Sequence, residues 1–201
     1  MALEAFYKLK EKKKKNILES ISTCLKNKNY DELSVNDISV AADISRGSFY
    51  NYFNDKSDAV ETLIESRISE YLDLYREAIK ISGYDLIEGT RKIYGDIEEL
   101  FRDEINVLKM KNLKFFIEFI IQSVHSKRFE KEIDEIVGWL IKNTKEGHNK
   151  LNTYKNMANV LDMLIVLVLN TIFNNIVIKS EYFSKYDDFN YKLDLIKNSF
   201  K

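Results

Sequence analysis

Proline is absent from this 201-residue chain, glycine occurs only six times and cysteine once. Proline and glycine are the residues that most often mark turns, so their scarcity favours long helices over many short strands. We therefore predict an all-α fold. The single cysteine, Cys24, excludes an intrachain disulfide, which fits a reducing compartment. Its helical apolar neighbours indicate a core residue, although a redox sensor is the alternative.

Long hydrophobic runs are also missing. The longest unbroken apolar run is 163–169, far shorter than the ~20 residues that cross a bilayer as a helix. Residues 1–30 lack the apolar stretch of a signal peptide. We therefore expect a cytoplasmic protein without a membrane partner.

Signatures of catalysis and metal binding are not found either. The two histidines, His125 and His148, have no cysteine or carboxylate at metal-ligand spacing, and neither a nucleophile elbow nor a phosphate-binding glycine loop occurs. We expect no enzymatic activity, and hence no catalytic residues, no metal and no cofactor.

A net excess of positive charge occurs only at the N-terminal end. The formal net charge is −1, yet residues 1–30 hold eight lysines against three glutamates, whereas residues 57–201 carry 21 cations and 24 acids. The run Lys12–Lys15 suits the phosphate backbone of a nucleic acid, although a solvated helix start is an equal alternative. Phe6 and Leu9, before this run, are expected to dock on the following helices.

The most informative stretch of the chain is 34–56, SVNDISVAADISRGSFYNYFNDK. Ser34 is predicted to cap one helix, with Asp37 as the second half of a capping box. Asp43 is placed in the turn that follows, since Asp tolerates left-handed backbone. Ser45 is predicted to cap a second short helix, 46–52. The pattern therefore indicates a helix-turn-helix.

The outward face of the second helix has an unusual chemistry. Phe49 and Phe53 would face the core. The residues left outside supply a cation, hydroxyls and an amide, the groups that contact phosphates and base edges in a major groove. The alternative is an ordinary capped surface helix with amphipathic tyrosines. The outward residues are Arg46, Gly47, Ser48, Tyr50, Asn51 and Tyr52.

This segment resembles the DNA-binding signature of the TetR family of transcriptional regulators. Two positions depart from it, because Asp43 stands where the family usually has Gly and Tyr52 where many members have His. The second departure would alter which phosphate is touched. Over residues 34–56 the chain keeps the order and spacing of the signature without an insertion or deletion. The matching residues are Ser34, Val35, Asp37, Ile38, Ala41, Ala42, Ile44, Ser45, Arg46, Gly47, Ser48, Phe49, Tyr50, Tyr52, Phe53 and Lys56.

The resemblance implies two domains and about nine helices. A three-helix DNA-binding domain is expected over 1–56, and a helical-bundle domain for ligand binding and dimerisation over 57–201. A long helix over 56–81 would link them mechanically. Helical spacing of apolar residues predicts the remaining helices at 84–105, 112–125, 129–147, 155–178 and 188–200.

A homodimer is expected as well. The helix predicted at 155–178 is apolar on more than one face, with Met163, Leu167 and Ile178 lying off its core stripe. The resemblance implies that this helix and the one at 188–200 pair with their twins as a four-helix bundle, while the alternative is a merely central helix. Two DNA-reading helices related by a two-fold axis would recognise an inverted repeat in double-stranded DNA.

The function predicted from these observations is that of a transcriptional repressor that a small, largely apolar inducer releases from its operator. Two alternatives remain, a helical carrier or enzyme without DNA binding and a DNA-binding regulator without an inducer. Base-edge contacts are assigned to Ser45, Arg46, Gly47 and Ser48, phosphate contacts to Ser34, Tyr50, Tyr52 and Lys56, and Asn51 lies on the same face. Candidate ligand-binding residues are Tyr94, Phe101, Phe115, Phe119, Gln122, Trp139 and Met163.

Overall fold

A computed structural model describes residues 2–107, 127–143, 153–174 and 186–199, and the regular structure in these ranges is helical throughout. The all-α prediction is therefore confirmed. The helices are α1 (Glu4–Tyr7), α2 (Glu11–Asn27), α3 (Val35–Ala41), α4 (Arg46–Tyr52), α5 (Lys56–Ile81), α6 (Leu86–Val107), α7 (Lys127–Asn143), α8 (Tyr154–Phe173) and α9 (Tyr186–Ser199). The helix predicted at 112–125 lies outside the described residues.

The described residues fall into two compact units. The first comprises 2–70 with 104–107, and the second comprises 71–103 with the described residues from 127 onward. Helix α5 contributes to both. Its first turns bury Ala59, Val60, Leu63 and Ile64 in the core of the first unit, so that core continues beyond residue 56.

Aromatic rings form the centre of the first unit. The ring of Phe53 lies 5.1 Å from that of Phe6 and 5.2 Å from that of Phe49, and all three side chains are buried. Helix α2 contributes Ile17, Ile21, Cys24 and Leu25 to the same core. Phe6 brings the short α1 against α4, which confirms its predicted docking.

One predicted helix start was wrong. The helix expected from residue 84 begins at Leu86, because Gly83 and Tyr84 both adopt left-handed backbone, with φ of 69° and 67°. Asp85 then caps the helix, since its Oδ1 accepts the backbone N–H of Ile87 at 2.9 Å and that of Glu88 at 3.0 Å. The left-handed pair therefore ends α5 and turns the chain into α6.

In the second unit, α8 packs against α7 and α9. Its apolar residues at helical spacing are buried, as the sequence predicts. Helix α8 is also long and apolar enough by composition to cross a membrane, the one such helix in the described part of the chain, but core helices of soluble proteins pass the same test. The buried residues of α8 are Met157, Val160, Leu161, Leu164, Val168, Thr171 and Ile172.

Helices α6 and α9 are held together by stacking and by charge. The ring of Tyr94 stacks on that of Phe189 with centroids 3.9 Å apart. Arg91 Nη2 lies 2.7 Å from Asp194 Oδ1, and Lys197 Nζ lies 2.8 Å from Glu88 Oε1. The hydrogen bond from Lys197 is the largest cause that lowers the pKa of Glu88 below its ordinary value.

Candidate nucleic-acid interface

The N-terminus of α3 is fixed by a complete capping box. Ser34 Oγ accepts the Asp37 N–H at 3.2 Å, and Asp37 Oδ2 accepts the Ser34 N–H at 2.9 Å. The Ser34 hydroxyl also donates to Asp37 Oδ2 at 2.7 Å. Capping satisfies N–H groups that the first turn leaves unpaired. The cap predicted from the sequence is confirmed, and it fixes Ser34 at an exposed position.

Asp37 is the most strongly perturbed carboxylate of this region. The hydrogen bond from Lys28 Nζ at 2.7 Å, followed by those from Ser34, lowers the pKa of Asp37 to about 2. The carboxylate is therefore ionised at neutral pH, and the Lys28 ammonium lies directly beside it. This pairing offsets the repulsion that an isolated Asp37 would exert on a phosphate near Ser34.

The turn between α3 and α4 uses one left-handed residue. Asp43 has φ of 50°, as the sequence predicts for this position. The Ile44 N–H donates to the Ser39 carbonyl at 3.0 Å and the Asp43 N–H to the Val40 carbonyl at 3.2 Å. These bonds close the turn and bring Ser45 to the start of α4.

Helix α4 begins at a second cap, which is also confirmed. Ser45 Oγ accepts the Ser48 N–H at 3.0 Å and lies 2.9 Å from Ser48 Oγ. A Cβ placed at Gly47 would meet only Ser45 Oγ, at 3.8 Å. Packing therefore does not require glycine at position 47. What the missing side chain provides is open access to the backbone of the first turn.

The two faces of α4 differ in solvent exposure, as predicted. Phe49 is fully buried, whereas Arg46, Gly47 and Asn51 are exposed. Tyr50 is 44% exposed, and the Arg46 guanidinium lies 5.9 Å from its ring centroid, within cation–π range.

The Tyr52 side chain is less exposed to solvent than the sequence suggests. Its side chain is half-buried, and its ring lies 6.5 Å from that of Phe6 in an edge arrangement. The Leu3 N–H donates to the Tyr52 carbonyl at 2.8 Å. The N-terminal segment therefore packs along the C-terminal end of α4.

Lys56 has an environment that its sequence position did not reveal. Its Nζ donates to the carbonyls of Tyr30 at 2.8 Å and Leu33 at 3.0 Å, with Asp31 O at 3.5 Å. The ammonium also lies 4.5 Å from the Tyr30 ring centroid. The cation expected to contact phosphate thus faces the turn before α3. No local sequence signal points to these partners, because they lie more than twenty positions away.

The lysine-rich N-terminal stretch is only partly paired with acids. Lys14 Nζ lies 2.7 Å from Glu11, and Lys15 Nζ lies 3.8 Å from Glu19. Lys10 and Lys12 are exposed at the start of α2. Since α1 packs on α4, these cations belong to the same unit as the two caps.

The candidate ligand-binding residues are not gathered into one visible site. Tyr94 is buried in its stack with Phe189, the Trp139 ring lies 5.3 Å from that of Tyr84, and Met163 is 49% exposed. The Phe101 side chain and the residues Phe115, Phe119 and Gln122 lie outside the described part. Among the described residues, no cluster of histidine, cysteine and carboxylates could hold a metal ion.

Comparison with known proteins finds a family model that matches the N-terminal part of the chain. Residues 17–62 match the family model of bacterial regulatory proteins, tetR family. Among curated proteins, none matches the chain in sequence at a significant level.

Two solved structures share the fold at low sequence identity. A proposed TetR-family transcriptional regulator from Mesorhizobium loti MAFF303099 superposes with a TM-score of 0.56 at 13% identity, over 94% of this chain and 95% of its own. The fatty acid degradation regulator FadR from Bacillus halodurans superposes with a TM-score of 0.55 at 16% identity, over 96% of each chain. The resemblance seen in the sequence is confirmed: this chain has the fold of TetR-family transcriptional regulators, and its residues 17–62 carry the sequence pattern of that family.

Proposed function

We propose that this protein is a cytoplasmic, homodimeric repressor that binds an inverted-repeat operator in double-stranded DNA and is released by a small, largely apolar ligand. The observation that carries the proposal is helix α4. It is capped by Ser45, anchored by the buried Phe49 and Phe53, and exposes Arg46, Tyr50 and Asn51 on the opposite side. A rigid short helix with such a face suits the major groove.

Different residues of this surface would contact different parts of the duplex. Ser45, Arg46, Gly47 and Ser48 form the N-terminal end of α4, the end that reaches base edges in helix-turn-helix proteins. Arg46, exposed and charged, suits the O6 and N7 acceptors of guanine.

Phosphate contacts would flank these base contacts. Ser34 at the N-terminus of α3 offers a hydroxyl and helix N–H groups. The hydroxyls of Tyr50 and Tyr52 would contact phosphates nearer the C-terminal end of α4, and the exposed Lys10 and Lys12 would add sequence-independent attraction. The three carbonyl contacts of the Lys56 ammonium argue against its expected role as a phosphate ligand.

The dimer would form through α8 and α9. On α8, Met163 and Val166 are 49% and 57% exposed, and on α9, Tyr191 and Leu195 are 63% and 53% exposed. Each pair lies one turn apart on its helix, and α8 contacts α9. Exposed apolar residues on two adjoining helices are the mark of a protein interface. This use of Met163 replaces its expected place in a ligand site.

The inducer is proposed to bind within the domain predicted from the sequence at 57–201. Tyr94 is already covered by Phe189, so the half-buried Trp139 and the aromatic residues Phe101, Phe115 and Phe119, with Gln122, remain the better candidates. FadR, which shares the fold, is a regulator of fatty acid degradation. A fatty acid is therefore the first ligand to test.

The central test is selection of bound duplexes from a random pool by the purified protein. We expect enrichment of an imperfect inverted repeat whose half-sites are about one helical turn, ~34–36 Å, apart. Enrichment of a single unrepeated site would contradict the dimer, and no enrichment at low salt would contradict DNA binding altogether. The selected operator then serves as the duplex for the binding measurements on variants.

A further inference from the structure

The Lys56 ammonium has three carbonyl oxygens as hydrogen-bond acceptors within the protein. A lysine ammonium has three N–H donors and no acceptor. Here the carbonyls of Tyr30 and Leu33 accept at 2.8 and 3.0 Å, and that of Asp31 lies at the weaker distance of 3.5 Å. The Tyr30 ring, 4.5 Å away, adds its electron-rich face. A phosphate that binds this cation directly would compete with these partners for its N–H donors.

The two ends of this contact have a special position in the chain. Tyr30, Asp31 and Leu33 form the turn that leads directly into Ser34, the cap of α3. Lys56 is the first residue of α5 and follows α4 after a short connection. Between them lies the whole helix-turn-helix. The ammonium therefore connects the turn that precedes the helix-turn-helix with the helix that follows it.

We propose that Lys56 is a positioning residue, which sets the spacing between Ser34 and the start of α4 without itself touching DNA. The inference rests on the proposed DNA binding and reassigns one of its residues. The two anchoring points of the surface, the cap of α3 and the cap of α4, lie on separate helices. A fixed distance between them is needed for both to engage one duplex at the same time.

The same contact links α5 to the reading surface. Helix α5 continues from Lys56 to Ile81 and so enters the second unit. A shift of its first turn would move the turn at 30–33 through the ammonium, and with it Ser34. A displacement of α5 would thus be transmitted through Lys56 to Ser34, the proposed phosphate contact of α3.

The test separates positioning from contact and from simple stabilisation. Lys56→Met keeps the aliphatic stem and removes the ammonium. Its affinity for the selected operator would be measured over a salt series, at a temperature where circular dichroism shows the variant folded. We expect affinity to fall about tenfold or more, in line with the removal of charge-assisted hydrogen bonds, and the salt slope to stay that of the wild type.

Two results would overturn the proposal. A salt slope that is smaller by about 0.9 for each subunit would identify Lys56 as a phosphate ligand. A lower melting temperature with unchanged affinity would identify a purely structural role. Lys80→Met, which removes an exposed lysine near the end of α5, is the matched control and should change neither quantity. If the wild type itself selects no duplex, the proposed function fails, which is a distinguishable outcome.

A second variant keeps the test decisive if Lys56→Met does not fold. Tyr30→Leu removes the ring behind the ammonium but leaves the Lys56 charge in place. Positioning predicts weaker operator binding at an unchanged salt slope. Wild-type affinity in this variant would overturn the proposal, because a lysine that only contacts phosphate does not need that ring.

Discussion

At the scale of single residues, Asp37 links the cap of α3 to acid stability. Its folded-state pKa of about 2 lies below the ~3.9 of an unfolded chain. The unfolded state therefore binds the proton more tightly, so Asp37 contributes its full stability above about pH 4 and loses it as the pH falls towards 2. We expect Asp37→Asn to flatten the dependence of melting temperature on pH in that window.

Thermal melts between pH 2 and pH 5, a range of about three units around the two pKa values, would check this prediction. Asp96→Asn, at an exposed site of α6, is the control and should keep the wild-type profile. An unchanged profile in Asp37→Asn would show that the contact with Lys28 does not persist in solution.

Arg46 is the residue on which sequence specificity should depend most. Arg46→Ala is expected to cost about 1–3 kcal/mol per half-site, since it would remove the bidentate pair of hydrogen bonds proposed between Arg46 and guanine. The effect should appear as relaxed discrimination at one base pair of each half-site. Competition binding with singly substituted operators measures this directly.

Arg67→Ala provides the comparison for Arg46, because Arg67 pairs with Glu70 on α5. It should leave discrimination unchanged. A uniform loss of affinity for all operators in Arg46→Ala would instead assign Arg46 to the phosphate backbone.

At the scale of helices, the close approach of α5 and α6 depends on Gly89. A Cβ at this position would lie 2.7 Å from Ile79 Cγ1 and 2.8 Å from Ile79 Cα. Because backbone cannot yield as a side-chain tip does, Gly89→Ala should destabilise the protein by about 1–3 kcal/mol. Chemical denaturation would measure the change.

The same helix supplies a matched control for Gly89. Gly95 lies in α6 with nothing within 4 Å of its added Cβ. Gly95→Ala should stabilise the protein by about 0.5–1 kcal/mol through helix propensity. Equal effects of the two substitutions would show that α5 and α6 do not approach each other closely at Gly89.

The features that could be predicted from the sequence are those that depend on residues close together in the chain. The caps at Ser34 and Ser45 depend on partners three residues away, and both were predicted correctly. The left-handed Asp43 was likewise predictable. Helix α5 begins and ends at the residues predicted for it, Lys56 and Ile81.

Contacts between distant segments could not be predicted in this way. Helical periodicity shows which face of a helix is buried but not which helix covers it. The stack of Tyr94 on Phe189 and the carbonyl partners of Lys56 both depend on how helices pack. For that reason one residue assigned to ligand binding lies in the core, and one assigned to phosphate has protein partners.

At the scale of the whole molecule, DNA recognition should depend on dimerisation. Val166→Glu places a charge on the exposed face of α8, where two-fold symmetry would oppose it to its twin. We expect a monomer by light scattering, with helical content retained and operator affinity sharply reduced. Ile81→Glu, at a site 60% exposed on α5, should remain dimeric. A dimeric Val166→Glu protein would place the interface elsewhere.

The burial of Cys24 has a practical consequence for testing the proposed dimer. Burial raises the pKa of its thiol, so we expect the native cysteine to be a poor nucleophile that reacts slowly with thiol reagents. Since it is the only cysteine in the chain, a new cysteine at an exposed position such as Lys26 could be spin-labelled selectively, without removing the native one. Pulsed electron resonance would then report the separation of the two N-terminal units directly, with and without operator.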